Sequence, residues 1–215
     1  MSGRVAEPLG SRLRLIVVTD TALARPHSVP DVVAAALRAG APAIQLRNKG
    51  ESARDLVQAG HELRALTRAS GALLFVNDRI DVALVIGADG VHLGPDDLPV
   101  PAARALAPEG FLIGRSANDP EAARRAVADG ADYIGCGTVF PTSTKADAGE
   151  VIGLTGLGRT AAAVGLPVIG IGGITEARAE AVAASGAAGV AVVGAVMDST
   201  DVAETVRNLL SPWSG

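Results

Sequence analysis

Cysteine is nearly absent from this chain: Cys136 is its only one. No disulfide can form within the chain, and no zinc site built on several cysteines can either. Aromatic residues make up only 2% of the sequence, while Ala, Val, Gly, Leu and Ile dominate. No apolar run approaches the roughly 18 residues that a membrane-spanning helix needs. The first dozen residues, MSGRVAEPLGSR, lack an apolar signal core, so a cytoplasmic protein is expected, with no membrane partner. Net charge is −4 and no basic block occurs, which speaks against a nucleic-acid partner. Any anion site must therefore be built locally.

What is present is an abundance of small and branched aliphatic residues, 48% of the 215 being hydrophobic. Such residues pack parallel strands beneath helices. Short apolar runs alternate with segments of helical periodicity along the whole chain. The strands are expected at 13–18, 43–46, 72–76, 89–93, 111–114, 131–135, 167–171 and 188–193. Ser52 reads as a helix N-cap and Gly71 as a C-cap, and either Asp119 or Pro120 starts a further helix. A helix-to-strand turn of one kind recurs at Gly40, Gly87, Gly130 and Gly186. Eight strand–helix units in about 200 residues predict an α/β fold, a single (β/α)8 TIM barrel over residues 13–211, with 1–12 as a flexible tail. The competing open, doubly wound sheet would normally carry a glycine fingerprint after its first strand. Thr19-Asp20-Thr21 is not one.

In a parallel barrel the C-terminal strand ends share one face, and that face holds the site. Strand two delivers Gln45, Arg47 and Lys49, which period-two alternation puts on one side. Strand three delivers Asn77 and Asp78, strand four His92 and Asp97, and strand five Ser116. After strand six comes GCGTVFPTSTK (135–145), where Thr142, Ser143, Thr144 and Lys145 group hydroxyls, backbone N–H donors and a cation. That combination suits a phosphate or pyrophosphate, although an ordinary solvated loop has the same composition. Arg47, Lys49 and Lys145 beside the carboxylates Asp78 and Asp97 point to Mg²⁺ bridged to a pyrophosphate. The same two aspartates also read as helix N-caps. Gly172-Gly173 and Gly194 form a second anion signal at the ends of strands seven and eight. Two anion sites imply two phosphorylated small-molecule substrates, and hence a transferase. Cys136, between glycines at a strand end, reads as a buried small residue. His92 reads equally as a substrate contact or a packing residue, while His27 and His61 read as surface positions.

These residues together resemble the thiamine-phosphate synthase family. The likeness is carried by QLRNKG (45–50), VNDRIDVAL (76–84), ADGVHLGPDDLP (88–99), IGRS (113–116), ADYIGCGTVFPTSTK (131–145), IGIGGIT (169–175) and GVAVVGAV (189–196). The resemblance implies an enzyme of thiamine biosynthesis. Its reaction joins hydroxymethylpyrimidine diphosphate to a thiazole phosphate, or its carboxylated form, and releases pyrophosphate. It implies that Gln45, Arg47, Lys49 and Asn77 hold the pyrimidine diphosphate and that Asp78 and Asp97 bind Mg²⁺. Ser116 and Lys145 would grip the departing pyrophosphate. Thr142, Ser143 and Thr144, with the backbone of Gly173, Val193 and Gly194, would hold the thiazole phosphate. Catalysis would fall chiefly to Lys145, Ser116, Arg47 and Lys49. Three positions depart from the family pattern: Pro95 stands for a glutamine, Gly194 for a serine and Asn48 for an acidic residue. A barrel that isomerises a thiazole phosphate and a non-catalytic regulator that binds phosphorylated ligands are the alternatives. An apolar helix face leaves room for a homo-oligomer.

Overall fold

The computed structural model describes residues 8–48, 50–142 and 150–214. Lys49, Ser143, Thr144 and Lys145 of the expected site lie outside these described residues. The strands β1 (Leu15–Val18), β2 (Ala43–Leu46), β3 (Leu73–Asn77), β4 (Gly90–Leu93), β5 (Leu112–Ser116), β6 (Tyr133–Cys136), β7 (Val168–Ile171) and β8 (Gly189–Val192) run in sequence order around a closed barrel. Adjacent strands are parallel, and β1 closes onto β8 with Leu15 opposite Val190. This closure removes the open-sheet alternative.

Alternation along each strand divides the apolar residues into two populations. Leu15, Val17, Ile44, Leu74, Val76, Val91, Ile113 and Ile134 pack outward beneath the helices. Ile16, Val18, Ala43, Leu73, Phe75, Tyr133, Ile169 and Ala191 fill the barrel interior. Phe75 and Tyr133 meet edge to face, with centroids 5.3 Å apart. Their rings fit because small residues stand opposite. A Cβ on Gly114 would lie 2.1 Å from Tyr133 Cζ, and one on Gly90 would lie 2.8 Å from Phe75 Cε1. Gly114→Ala is therefore expected to destabilise the fold by about 1–3 kcal/mol through overpacking, with a lowered midpoint in urea unfolding as the measurement.

The helical layer follows its punctuation. Helix α2 (Val29–Arg38) is capped by Ser28, α3 (Ala53–Ser70) by Ser52, α6 (Pro120–Ala128) by Asp119 and α10 (Val202–Leu210) by Asp201. Each such cap contributes about 1 kcal/mol. Gly71 ends α3 in the left-handed conformation at φ 73°. Gly40, Gly87, Gly130 and Gly186 likewise have positive φ, which bears out the recurrent turn. Helices α4 (Ile80–Val85), α5 (Val100–Leu106), α7 (Gly153–Ala161) and α8 (Glu176–Ala184) complete the ring, and a short α9 (Gly194–Met197) follows β8. No helix among the described residues is long and apolar enough to cross a membrane.

The N-terminal ends of the strands are closed by a floor. Residues 9–12, expected within a tail, instead form helix α1 (Leu9–Arg12), because Leu9 packs onto the interior apolar cluster. Trp213 donates through Nε1 to the Ala187 carbonyl at 3.0 Å, and Arg14 donates to the Trp213 carbonyl at 3.0 Å. Two aspartates repeat one device. Asp89 Oδ2 accepts from Leu74 N and from Arg64, and Asp132 Oδ2 accepts from Ile113 N and from Arg104, all at 2.6–2.8 Å. Each carboxylate thus satisfies a strand N–H and is neutralised in place by an arginine.

Candidate active site

The opposite end of the barrel opens into a cavity of about 710 Å³. Gln45, Arg47, Asn77, Asp78, Asp97, Ser116, Thr142, Gly173, Val193 and Gly194 all line it. These are the sequence-derived candidates that fall within the described residues. The alternation that turns Ile16 and Phe75 inward also turns Gln45, Asn77, His92 and Ser116 inward, one or two residues nearer the mouth. Gln45 is a buried polar residue, 5% exposed. Arg47 is held from several directions: its N–H donates to Thr19 Oγ1 at 2.9 Å, its carbonyl accepts from Thr19 at 3.1 Å, and its guanidinium lies 3.8 Å from Asp20. Asn48 donates to Thr21 Oγ1 at 2.8 Å and to Glu51, so the change from an acidic residue leaves the segment anchored.

The two aspartates are not helix caps. The N-cap position of α4 is Arg79 and that of α5 is Pro99, and no side chain caps either helix. Asp78 has φ 64°, the only non-glycine residue with positive φ among the described residues. Aspartate tolerates this conformation at modest cost, and such strain gathers at functional sites. Its N–H donates to the His92 carbonyl at 2.8 Å, which ties β3 to β4 at the mouth. Asp97 Oδ2 accepts from Gly94 N at 2.6 Å and so folds its own loop into a turn. Arg115 clamps that loop from outside by donating to the carbonyls of Gly94 at 2.6 Å and Pro95 at 3.3 Å. Pro95 therefore contributes a carbonyl to the loop's anchorage.

His92 sits in a polar chain. Tyr133 Oη lies 3.1 Å from its Nδ1 and Ser116 Oγ lies 3.0 Å from its Nε2. Burial, and secondarily the Asp132 charge, push the Tyr133 phenol well above its ordinary pKa, so it stays protonated. Cys136 is fully buried, and burial pushes its thiol up to about 11. At pH 8 only about one molecule in a thousand then carries the thiolate. Iodoacetamide is expected to leave native Cys136 unlabelled and to label it in guanidinium, as read by intact mass.

The second anion region joins two loops. Phe140 N donates to the Gly172 carbonyl at 3.0 Å and Val139 N to the Ile171 carbonyl at 2.9 Å. Gly173 has φ 62°, and a Cβ there would lie 2.6 Å from the Pro141 carbonyl oxygen. Only glycine lets the two backbones approach this closely. Sequence reasoning missed Thr19 and Asp20, which end β1, and Tyr133, Thr138 and Arg178, which line the cavity. Position at a strand end was an available signal for Thr19 and Asp20. Nothing in the sequence marked Arg178.

Two carboxylates at one mouth suit Mg²⁺. That ion is commonly held by one or two carboxylates, with substrate phosphate oxygens and water completing an octahedron. The described residues contain no cluster of three or more His, Cys, Asp or Glu arranged to hold a metal on protein ligands alone. This donor set fits an ion that arrives with a phosphorylated substrate.

Comparison with known proteins extends the likeness along the chain. The family described as thiamine monophosphate synthase matches residues 15–196. A thiamine-phosphate synthase of Moorella thermoacetica is 48% identical over 195 residues, covering 91% of this chain and 93% of the relative. One from Methanoculleus marisnigri is 49% identical over 195 residues, covering 91% and 92%. The solved thiamine phosphate pyrophosphorylase of Pyrococcus furiosus superposes with a TM-score of 0.89 at 43% identity, over 97% of this chain and all of that one. The shared sequence runs from the first residue of β1 into α9 and takes in every strand that supplies the cavity. The chain belongs to the thiamine monophosphate synthase family, transferases of thiamine biosynthesis.

Proposed function

We propose that this cavity joins hydroxymethylpyrimidine diphosphate to a thiazole phosphate, releasing pyrophosphate and forming thiamine phosphate. The observation that carries the reading is the meeting of Gln45, Arg47, Asn77, Asp78, Asp97 and Ser116 with Thr142 and Gly173 around one space. The carbon–oxygen bond to the diphosphate breaks, and its electron pair leaves with the pyrophosphate. The methylene cation left behind is stabilised by the aminopyrimidine ring. The thiazole nitrogen then donates its lone pair to that carbon. No protein nucleophile is required, and buried Cys136 offers none.

The residues divide the work. Gln45 and Asn77 orient the pyrimidine diphosphate, and Arg47 neutralises charge on the departing group. Asp78 and Asp97 would hold Mg²⁺, which supplies Lewis-acid stabilisation of the pyrophosphate when bound. Tyr133 Oη beside His92 Nδ1 and Ser116 Oγ beside His92 Nε2 form a chain of hydrogen-bonding groups that holds Ser116 toward the pyrophosphate. Thr142 and the backbone of Gly173, Val193 and Gly194 receive the thiazole phosphate. Lys49, Ser143, Thr144 and Lys145, outside the described residues, keep the roles that their motifs imply: pyrophosphate neutralisation for the lysines and thiazole-phosphate binding for the hydroxyls.

Mixing the two phosphorylated halves with Mg²⁺ tests the proposal. Thiamine phosphate and pyrophosphate should appear in equal amounts, and chelation should stop both. Isomerisation of the thiazole phosphate alone, or binding of either half without turnover, would instead establish one of the alternatives.

A further inference from the structure

Arg178, on α8, lines the cavity without having been marked by any motif. Its Nη1 donates to the Gly173 carbonyl at 2.5 Å, and its guanidinium carbon lies 4.6 Å from the centroid of the Phe140 ring. One contact comes from the loop after β7 and the other from the loop after β6, so the group is held between the two. Neither partner carries a negative charge. No salt bridge to Arg178 is found among the described residues. A guanidinium has five N–H donors in a fixed fork that matches phosphate oxygens, and Gly173 takes only one of them.

Its place around the ring assigns the ligand. In a closed barrel of eight strands in sequence order, β7 lies opposite β3. The carboxylates that line the cavity, Asp78, Asp96 and Asp97, follow β3 and β4. Arg47, the other described cation in the lining, follows β2 and already lies near Asp20. The far side, where Thr142, Gly173 and Gly194 converge, has Arg178 as its only charged group among the described lining residues.

We infer that Arg178 is a substrate-binding residue that grips the phosphate of the thiazole half, and that it determines preference for the phosphorylated thiazole over its free alcohol. The inference rests on the function proposed above. It does not require Arg178 to act on the pyrophosphate or on the reacting carbon.

Steady-state kinetics of wild type and Arg178→Gln on both thiazoles test this. With thiazole phosphate, KM should rise about 10- to 100-fold, the loss expected for a charge-assisted hydrogen bond. KM for the pyrimidine diphosphate should stay within about twofold. With the thiazole alcohol, wild type and variant should be equal, since no phosphate is present to be lost. Loss of arginine merely as a loop support would slow both thiazoles alike, and that result overturns the inference, as does an unchanged KM for thiazole phosphate. Phe140→Leu, which removes the ring seat but keeps the charge, should raise the same KM by less than Arg178→Gln. If wild type forms no thiamine phosphate, the proposed function fails on its own account. Calorimetric binding of thiazole phosphate then decides on Arg178: a Kd weakened tenfold or more in the variant upholds the contact, and an equal Kd refutes it.

Discussion

Asp97→Asn is expected to fold normally and to form thiamine phosphate about 10²- to 10³-fold more slowly than wild type, the usual loss when one stabiliser of developing negative charge is removed. The amide is the informative replacement. Asp97 Oδ2 accepts from Gly94 N and shapes its loop, and an asparagine oxygen can still accept that bond. Arg115 continues to hold the Gly94 and Pro95 carbonyls from the other side. Only the negative charge is lost. Asp78→Asn makes the matching case, because asparagine also tolerates the left-handed backbone found there at φ 64°. Both variants should need more Mg²⁺ for half-maximal rate, while their melting temperatures stay near that of wild type. A full rate at ordinary Mg²⁺ in either variant would remove that aspartate from the metal site. Asp97→Ala should lose activity at least as severely, with the loop turn loosened as well.

Gly173→Val is expected to lower kcat/KM for thiazole phosphate by about 100-fold or more, since displacing a site by about 1 Å can cost that much. Two effects combine. The residue sits at φ 62°, which a β-branched side chain resists, and a Cβ would stand 2.6 Å from the Pro141 oxygen and 2.7 Å from the Phe140 oxygen. Both neighbours are backbone, so relief requires one loop to leave the other. Thr142 then moves away from the cavity, and Arg178 loses the carbonyl that positions it. Binding of pyrimidine diphosphate, measured by calorimetry, should weaken far less, because all of its proposed contacts except Lys145 come from β2 to β5. Equal damage to the binding of both substrates would mean that the change spreads across the barrel.

The sequence made the barrel legible because its signals are local and repeated. Left-handed glycines after helices and hydroxyl or carboxylate caps before them mark units whose order then dictates the topology. Alternation places Gln45 and Arg47 at the mouth for the same reason that it buries Ile44 and Leu46 beneath the helices. The limits are equally physical. Helix α9 has four residues, too few to show a period. Strand ends shifted by one or two residues because hydrogen bonding rather than hydropathy ends a strand. Arg178 lies in the run EARAEA, which reads as a solvated helix face; its site exists only because Phe140 and Gly173, distant in sequence, arrive beside it. Tyr133 stands in a short apolar strand, and its part in the site depends on a histidine two strands away, which no local pattern shows.

The paired aspartate–arginine clasps beneath the barrel have a wider consequence. Arg64 with Asp89 and Arg104 with Asp132 secure strand N–H groups at the end farthest from the reaction. Cohesion and chemistry thus draw on separate sets of side chains. Residues around the mouth can therefore change without loosening the foundation that keeps the ring closed.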